Sequence, residues 1–241
     1  MFCNKCGTNV EPNAQFCPGC GQIMGAELPP QANVPPAFVP PPFMPPAFVP
    51  PATASAQTGK WIGEAWALVQ TDIVMFGVAA LLVMVVGGAV PVVLQGAMAV
   101  GFNLLIIKKL AFGKLDLGDL FKGFNFFLPS LVAHILISIF VAIGLIFCIV
   151  PGLVLGAMYM FSFVFILDKK MDFWPAMQAS AEIVKKDYVG FTLFFLVLGL
   201  LQLLGVLACF VGLFVTIPIA YVAIAVAYRD LVGFDPQTQN L

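Results

Sequence analysis

The sequence predicts an all-α membrane protein: six transmembrane helices arranged as three repeated hairpins with cytosolic interfacial amphipathic helices, preceded by a small N-terminal four-cysteine module. Three observations carry this expectation. Of the 241 residues, 61% are hydrophobic and only 10% are charged, whereas ordinary soluble domains are about half apolar and about a quarter charged; lipid has to solvate the excess. From residue 73 onward the apolar residues gather into long runs broken by short charged segments. Four of the six cysteines fall within the first twenty residues. The net charge of -1 supplies no long-range field that would draw in nucleic acid or a strongly acidic partner. The polar N-terminus lacks a basic run followed by a short apolar core, so no cleaved signal peptide is expected.

Four regions follow in order: residues 1–23, the cysteine module; 24–58, a proline-rich linker; 59–234, the six-helix transmembrane domain; and 235–241, a C-terminal tail. In the first, Cys3-Asn-Lys-Cys6-Gly7 and Cys17-Pro-Gly-Cys20-Gly21 form two Cys-x-x-Cys knuckles with ten residues between them. Each turn lets both thiolates face one ion, the following glycine supports the turn, and two such turns supply four sulfurs to a tetrahedral site. Cys3, Cys6, Cys17 and Cys20 are therefore the expected ligands of a zinc ion. A pair of disulfides is the alternative, and it requires an oxidising compartment. A core of about twenty residues cannot fold on apolar burial alone, so the ion would supply the folding free energy. With all four positions filled by protein, the zinc is expected to be structural and not catalytic.

Met1-Phe2-Cys3 through Cys6-Gly7, then Val10, Ala14, Phe16-Cys17-Pro18 and Cys20-Gly21, resembles the short N-terminal zinc ribbons of bacterial and archaeal membrane proteins, over about a tenth of the chain. Some zinc ribbons bind nucleic acid. Here Lys5 stands against Glu11, too little positive charge to neutralise several phosphates, so a protein partner is expected and no nucleic acid.

The linker holds eleven prolines between Pro29 and Pro51 and repeats Pro-Pro-Ala-Phe-Val-Pro-Pro at 35–41 and 45–51. Polyproline II or disordered chain is expected, reaching up to roughly 70 Å at about 3.1 Å per residue. It reads either as a semi-rigid spacer or, through Phe38, Phe43 and Phe48 at five-residue intervals, as a set of aromatics that dock in a partner groove or rest in the lipid interface.

Six spans are expected at 73–89, 91–110, 126–149, 152–167, 189–209 and 212–229, each near the length that crosses a core about 30 Å thick. Orientation follows from positive charge, because Lys and Arg stay in cytosolic loops. Lys5 and Lys60 precede the first span; Lys108, Lys109, Lys114 and Lys122 follow the second; Lys169, Lys170, Lys185 and Lys186 follow the fourth; Arg229 ends the sixth. All eleven fall on one side, so both termini are expected in the cytosol, where cysteines stay reduced.

The repeat is read from three echoes. Val90-Pro91 through Gly96-Ala97-Met98 recurs sixty residues later as Val150-Pro151 through Gly156-Ala157-Met158; Ile143-Gly144 to Cys148 matches Leu204-Gly205 to Cys209; and Leu68 to Val74 resembles Ile183 to Val189. Each copy is expected to be an interfacial helix plus a hairpin. In the last lead-in Phe173, Trp174, Met177, Ala181, Val184 and Tyr188 share a helical face, with Gln178, Glu182, Lys185 and Lys186 elsewhere. Asp172 suits its cap and Trp174 the headgroup boundary. Trp61 and Trp66 suit the first lead-in in the same way, and Leu117, Leu120, Phe121 and Phe124 the second. The lead-ins either lie flat on the cytosolic leaflet or fold back over the bundle.

Asp119 to Phe124, Ile149 to Gly152, Phe173 to Met177 with Ser180, and Ala227 to Asp230 ahead of Gly233 resemble a broad bacterial family of six-helix proteins over about 60–234. That family is related to the membrane domain attached to some glycerophosphodiester phosphodiesterases. The resemblance implies a fold and a bacterial inner-membrane setting; the hydrolase barrel has no counterpart here, so no phosphodiesterase activity is implied.

No charged residue falls between the span ends, where transporters and proton pumps mark their pathways with intramembrane charges. Gln95, Asn103, Ser130, His134, Ser138, Ser162, Thr192, Gln202 and Thr216 are the interior polar residues, expected mainly as interhelical hydrogen-bond partners. His134, the lone histidine, reads as a packed, hydrogen-bonded residue in preference to a ligand or proton carrier. Cys148 and Cys209 occupy matching repeat positions, which leaves a disulfide conceivable beside close packing helped by Gly144, Gly205 and Gly152-x-x-x-Gly156. Asp72, Asp187 and the Arg229–Asp230 pair suit capping or surface pairing. No paired acids, nucleophile–base couple or open metal site can be named, so no enzyme is expected. The favoured reading is a non-catalytic membrane adaptor or accessory subunit, in contact with membrane lipids, other subunits of a membrane complex and a cytosolic protein. The alternative is a carrier or flippase for a hydrophobic or lipid substrate.

Overall fold

The structure is a computed structural model and describes residues 2–3, 5–11, 14, 16–21, 50–208 and 211–239. Phe38, Phe43, Phe48 and Cys209 lie outside the described residues. Two compact units divide the chain, Met1–Pro46 and Ala47–Leu241.

In the first unit an antiparallel bridge joins Phe2 to Asn9, and the Cys3 amide donates to the Thr8 carbonyl at 3.0 Å. Cys3, Val10 and Cys17 are its buried residues, with Ala14 against them. Among the described residues of the chain there is no strand.

The second unit is helical: α1 (Thr58–Thr71), α2 (Ile73–Ala89), α3 (Pro91–Phe112), α4 (Asp119–Lys122), a 3-10 turn at Gly123–Phe126, α5 (Phe127–Phe147), α6 (Ile149–Tyr159), α7 (Ser162–Asp168), α8 (Phe173–Val184), α9 (Tyr188–Leu207), α10 (Leu213–Leu231) and α11 (Pro236–Gln239). Five stretches are long and apolar enough to cross a membrane: Val92–Phe112, Asp119–Phe147, Ile149–Asp168, Tyr188–Leu207 and Leu213–Leu231. The count differs from the six expected because of α2. Its 17 residues reach about 26 Å at 1.5 Å per residue, short of a core of about 30 Å, and it meets α1 at a bend of 101°. Asp72 breaks the helix at that bend, and its carboxylate accepts from the Lys109 ammonium. That contact holds the Asp72 carboxyl below the usual carboxylate range.

Helix α3 sits at the centre, with 67% of its apolar stretch buried, while α5 and α9 are peripheral, with 17% and 22% buried. Their exposed apolar faces, including Ile139, Ile143 and Ile146 on α5 and Leu193, Leu200 and Leu204 on α9, are what a lipid solvent requires. Pro91 opens α3 at its first turn, where a missing amide costs nothing. Gly113, at a φ of 70°, closes α3 in the left-handed conformation.

The lead-ins depart from the expected pattern. Trp61 does not face outward: it is 1% exposed, stacked on Phe191 and edge-on to Phe194 with centroids 6.1 and 5.2 Å away, and its Nε1–H donates to Asp230. Helix α1 packs against α10, and burial of so large a ring outweighs an interfacial perch. Trp66 stays exposed. The second lead-in is only the four-residue α4 and a 3-10 turn, pressed onto α3. A Cβ on Gly101 would lie 1.9 Å from the Leu120 carbonyl oxygen, and one on Gly123 would lie 2.2 Å from that of Ala97. In α8 the buried face is Ala176, Met177, Ala179, Ser180, Ala181, Ile183 and Val184; Trp174 and Tyr188 lie outside it. Helix α8 packs on α5, α6 and α7, and small residues permit that approach.

Two polar devices hold irregular backbone in place. Where α6 gives way to α7, the Ser180 hydroxyl donates to the Met158 carbonyl at 2.6 Å and accepts from the Phe161 amide at 3.2 Å, satisfying groups that a helix break leaves unpaired. At the end of α7 the fully buried Asp168 carboxylate accepts from the Tyr228 hydroxyl at 2.9 Å and the Asp235 amide at 2.8 Å, while its carbonyl accepts from Thr238 at 3.0 Å. Lys169 lies 3.2 Å away, and Phe234 stacks on Tyr228. Residues 233–239 are thereby folded back onto the helices.

Candidate metal centre

Each knuckle is closed by a helix-like turn and a left-handed glycine. The Gly7 amide donates to the Cys3 carbonyl at 2.8 Å, and the Gly21 amide to that of Cys17 at 2.9 Å. Gly7 and Gly21 have φ of 72° and 69°, a conformation glycine adopts without a Cβ penalty. The two turns bring all four predicted ligands together. Sγ of Cys3 lies 3.7 Å from that of Cys20, Sγ of Cys6 lies 3.5 Å from that of Cys17, and the four sulfurs fall within 4.8 Å of one another. Zn–S bonds of about 2.3 Å place tetrahedral sulfurs about 3.8 Å apart, so the donor set and its spacing fit zinc.

The surroundings favour the thiolate form. Backbone amides of Lys5 and Cys6 donate to Cys3 and lower its thiol pKa. Cys6 is lowered to about 6, first by the Thr8 hydroxyl, which stands 3.2 Å from its sulfur. Thr8 is a functional residue that spacing arguments pass over; its signal is a hydroxyl two positions beyond the second cysteine of a knuckle.

The other predicted positions scatter. Gln202 and Thr216 form a double hydrogen bond between α9 and α10, at 2.9 and 3.0 Å. Asn103 donates to the Ala99 carbonyl on its own helix. Its Oδ1, the Ser162 hydroxyl and the Thr192 hydroxyl are buried without a partner among the described residues, against the interhelical role expected of them. His134 tilts against Phe163 with centroids 6.4 Å apart and makes no hydrogen bond among the described residues. Asp187 caps α9 through the Gly190 amide at 2.9 Å. Arg229 bridges Glu64 at 2.7 Å and Asp230 at 2.9 Å. Cys148 is an exposed free thiol.

Residues 2–24 match the zinc-ribbon domain. Uncharacterized proteins of Mycobacterium bovis and Mycobacterium tuberculosis are 34% identical to this chain over 103 residues, which is 43% of the chain and 32% of those proteins. The chain thus spans about a third of the length of the curated relatives it matches. No solved structure matches it. Fold and site together define a zinc-ribbon domain joined to a set of apolar helices suited to a multi-pass membrane protein.

Proposed function

We propose that the chain is a non-catalytic membrane adaptor, whose helices anchor or organise a membrane complex and whose zinc ribbon recruits a cytosolic protein. The observation that carries this reading is the closed four-thiolate centre: four protein sulfurs leave no coordination position for a substrate. Phe2 and Phe16, the residues before each knuckle, are 70% and 59% exposed, and aromatic side chains on a small, nearly uncharged module suit protein contact. For the helices, the adaptor reading is supported over a carrier by backbone packed through glycine. A Cβ on Gly144 would meet Gly152 at 2.8 Å, one on Gly205 would meet Thr216 Oγ1 at 2.4 Å, and one on Gly156 would meet the Phe195 ring at 2.6 Å.

The finer topology belongs to the same proposal. Helix α2, at the 73–89 expected for the first span, makes a sixth; both termini are cytosolic; the setting is a bacterial inner membrane. The support is the one-sided distribution of lysine and arginine and the resemblance over residues 60–234. The test compares proteins recovered in mild detergent with the full chain and with a chain lacking residues 1–57. The adaptor reading expects at least one cytosolic partner to be lost and membrane partners to be kept. Identical recoveries would remove the ribbon's part in it. Cysteines placed at Gly88 and Gly212 should react with an impermeant thiol reagent from outside intact cells. One at Gly113 should not, and its labelling would overturn the topology.

A further inference from the structure

We propose that the ribbon is an oxidation site for hydrogen peroxide, at which Cys6 takes up an oxygen, Cys17 displaces it, and the zinc is expelled. The inference rests on zinc at the four sulfurs and does not require the adaptor reading.

Access and pairing point the same way. In each knuckle the first cysteine is buried and the second is exposed: Cys3 and Cys17 are shielded, while Cys6 and Cys20 are open to solvent. Two close sulfur contacts run between the knuckles, Cys6 to Cys17 at 3.5 Å and Cys3 to Cys20 at 3.7 Å. Each crossed pair therefore holds one sulfur that a small oxidant reaches from solvent and one that it does not. That is the arrangement of an attacked thiolate with a resolving partner beside it. Closing such a pair to a disulfide brings the sulfurs about 1.5 Å nearer to each other. Gly19 keeps one side of the Cys6 sulfur open. It does not share the positive φ of Gly7 and Gly21, so its backbone admits a side chain. Yet a Cβ there would lie 2.6 Å from the Thr8 hydroxyl oxygen and 3.5 Å from the Cys6 sulfur, and would cover the approach that glycine leaves bare.

Zinc holds its cysteines as thiolates, and the thiolate is also the nucleophile. The Cys6 sulfur attacks one peroxide oxygen; the O–O bond breaks, an S–O bond forms, and hydroxide leaves, taking a proton from solvent to become water. The Cys17 thiolate then attacks the Cys6 sulfur, forming the S–S bond and breaking the S–O bond, and a second hydroxide leaves as water. The two thiolates give up two electrons and one peroxide is reduced to two waters. Zinc is left with Cys3 and Cys20. A second peroxide converts that pair through the exposed Cys20, and the metal departs. Because the ion supplies the folding free energy, the oxidised module gives up the fold that zinc supports, and any protein it recruits goes with it.

The zinc-loaded full chain, purified in mild detergent and freed of reductant, is treated with hydrogen peroxide. A chromophoric chelator reads the metal and mass spectrometry maps the disulfides. Zinc should be lost completely, in step with Cys6–Cys17 and Cys3–Cys20 disulfides, and reductant with added zinc should restore it. A 1,3-dione trap for sulfenic acid should label Cys6 and Cys20 and neither Cys3 nor Cys17. Cys148, an exposed free thiol outside the ribbon, should be oxidised about tenfold more slowly, since the ribbon sulfurs are held as thiolates. Zinc retained while Cys148 is oxidised would overturn the proposal. So would disulfides within a knuckle, Cys3–Cys6 or Cys17–Cys20, or trap label on a buried cysteine. A parent that carries no zinc before peroxide is added would overturn it together with the metal assignment. The pull-down that tests the adaptor reading is untouched by any of these results.

Discussion

The cysteine module and the helical unit solve the folding problem with different physics. Around its four sulfurs the module buries Cys3, Val10 and Cys17 with Ala14 beside them, far too little apolar surface to offset the entropy of ordering its chain. The helical unit buries a continuous cluster running from Trp61 through Phe102, Phe161 and Phe191 to Tyr228. One stands or falls with an ion. The other depends on close backbone approach and on a few buried polar contacts, so damage to it should be graded where damage to the module is all-or-none.

The sharpest way to break the comparison is Cys17→Ser. Structural zinc in small modules is worth about 10–16 kcal/mol of apparent binding free energy at neutral pH, so losing one thiolate should leave residues 2–21 unfolded and free of zinc. The helices should keep their full circular dichroism signal and their membrane insertion. Metal analysis and protease sensitivity of the N-terminal segment read the first half, and carbonate extraction the second. A parent protein purified under reductant that contains no zinc would refute the assignment.

Within the helical unit the largest single effect is expected at Asp168. Alanine there leaves the Tyr228 hydroxyl, the Asp235 amide and Lys169 without their acceptor, and each buried donor left unsatisfied costs about 1–3 kcal/mol. Unfolding in denaturing detergent should show that loss, together with early proteolysis of the 233–239 segment. Asp168→Asn keeps an acceptor for the amide and should lose less. Next comes Gly101→Ala, whose Cβ would enter the Leu120 carbonyl; overpacking of this kind costs about 1–3 kcal/mol. Gly199→Ala, with nothing within 4 Å of the new carbon, is the matched control and should be silent.

The two regions also differ in what their sequences reveal. The four ligands could be read from spacing because a knuckle is a local object: its two sulfurs are brought together by four residues and a glycine. The helices were readable for a similar reason, since an apolar run announces itself; helices stand where spans were expected at 73–89 and 91–110, as Ile73–Ala89 and Pro91–Phe112, and the second of them is long and apolar enough to cross a membrane. What stayed hidden depends on partners distant in sequence. A helical face at Trp61 looks the same whether it meets headgroups or, as here, Phe191 and Phe194. The Asp168 contacts reach across 60, 67 and 70 residues, and no periodicity encodes such a pairing. The face drawn from the sequence around α8 held Met177, Ala181 and Val184, which are buried, together with Trp174 and Tyr188, which are exposed, and it passed over Ala176, Ala179, Ser180 and Ile183, which packing on three neighbouring helices buries.

The smallest expected effect tests whether the module's stability resides in the four sulfurs alone. The Thr8 hydroxyl stands 3.2 Å from the Cys6 sulfur, and it is the largest cause holding that thiol at about 6 rather than at 9.0. A thiol whose pKa is depressed in the folded form contributes stability that is fully present above its ordinary pKa and is lost as pH falls through the folded value. Zinc retention should therefore decline as the medium is acidified toward about 6. Thr8→Ala removes the hydroxyl while all four ligands remain, so the midpoint of zinc release should move to higher pH. Loss of an outer-shell partner typically lowers metal affinity 10–100-fold, and for an exposed hydroxyl we expect the low end, about tenfold, at neutral pH. Competition with a chromophoric chelator, followed from pH 9.0 down to about 6, separates the two possibilities. If Thr8 acts through the Cys6 thiolate, the curves of parent and variant should converge at the alkaline end and part as protons begin to compete. If the curves coincide at every pH, the hydroxyl only fills space beside Gly19, and the stability of the centre rests on its sulfurs.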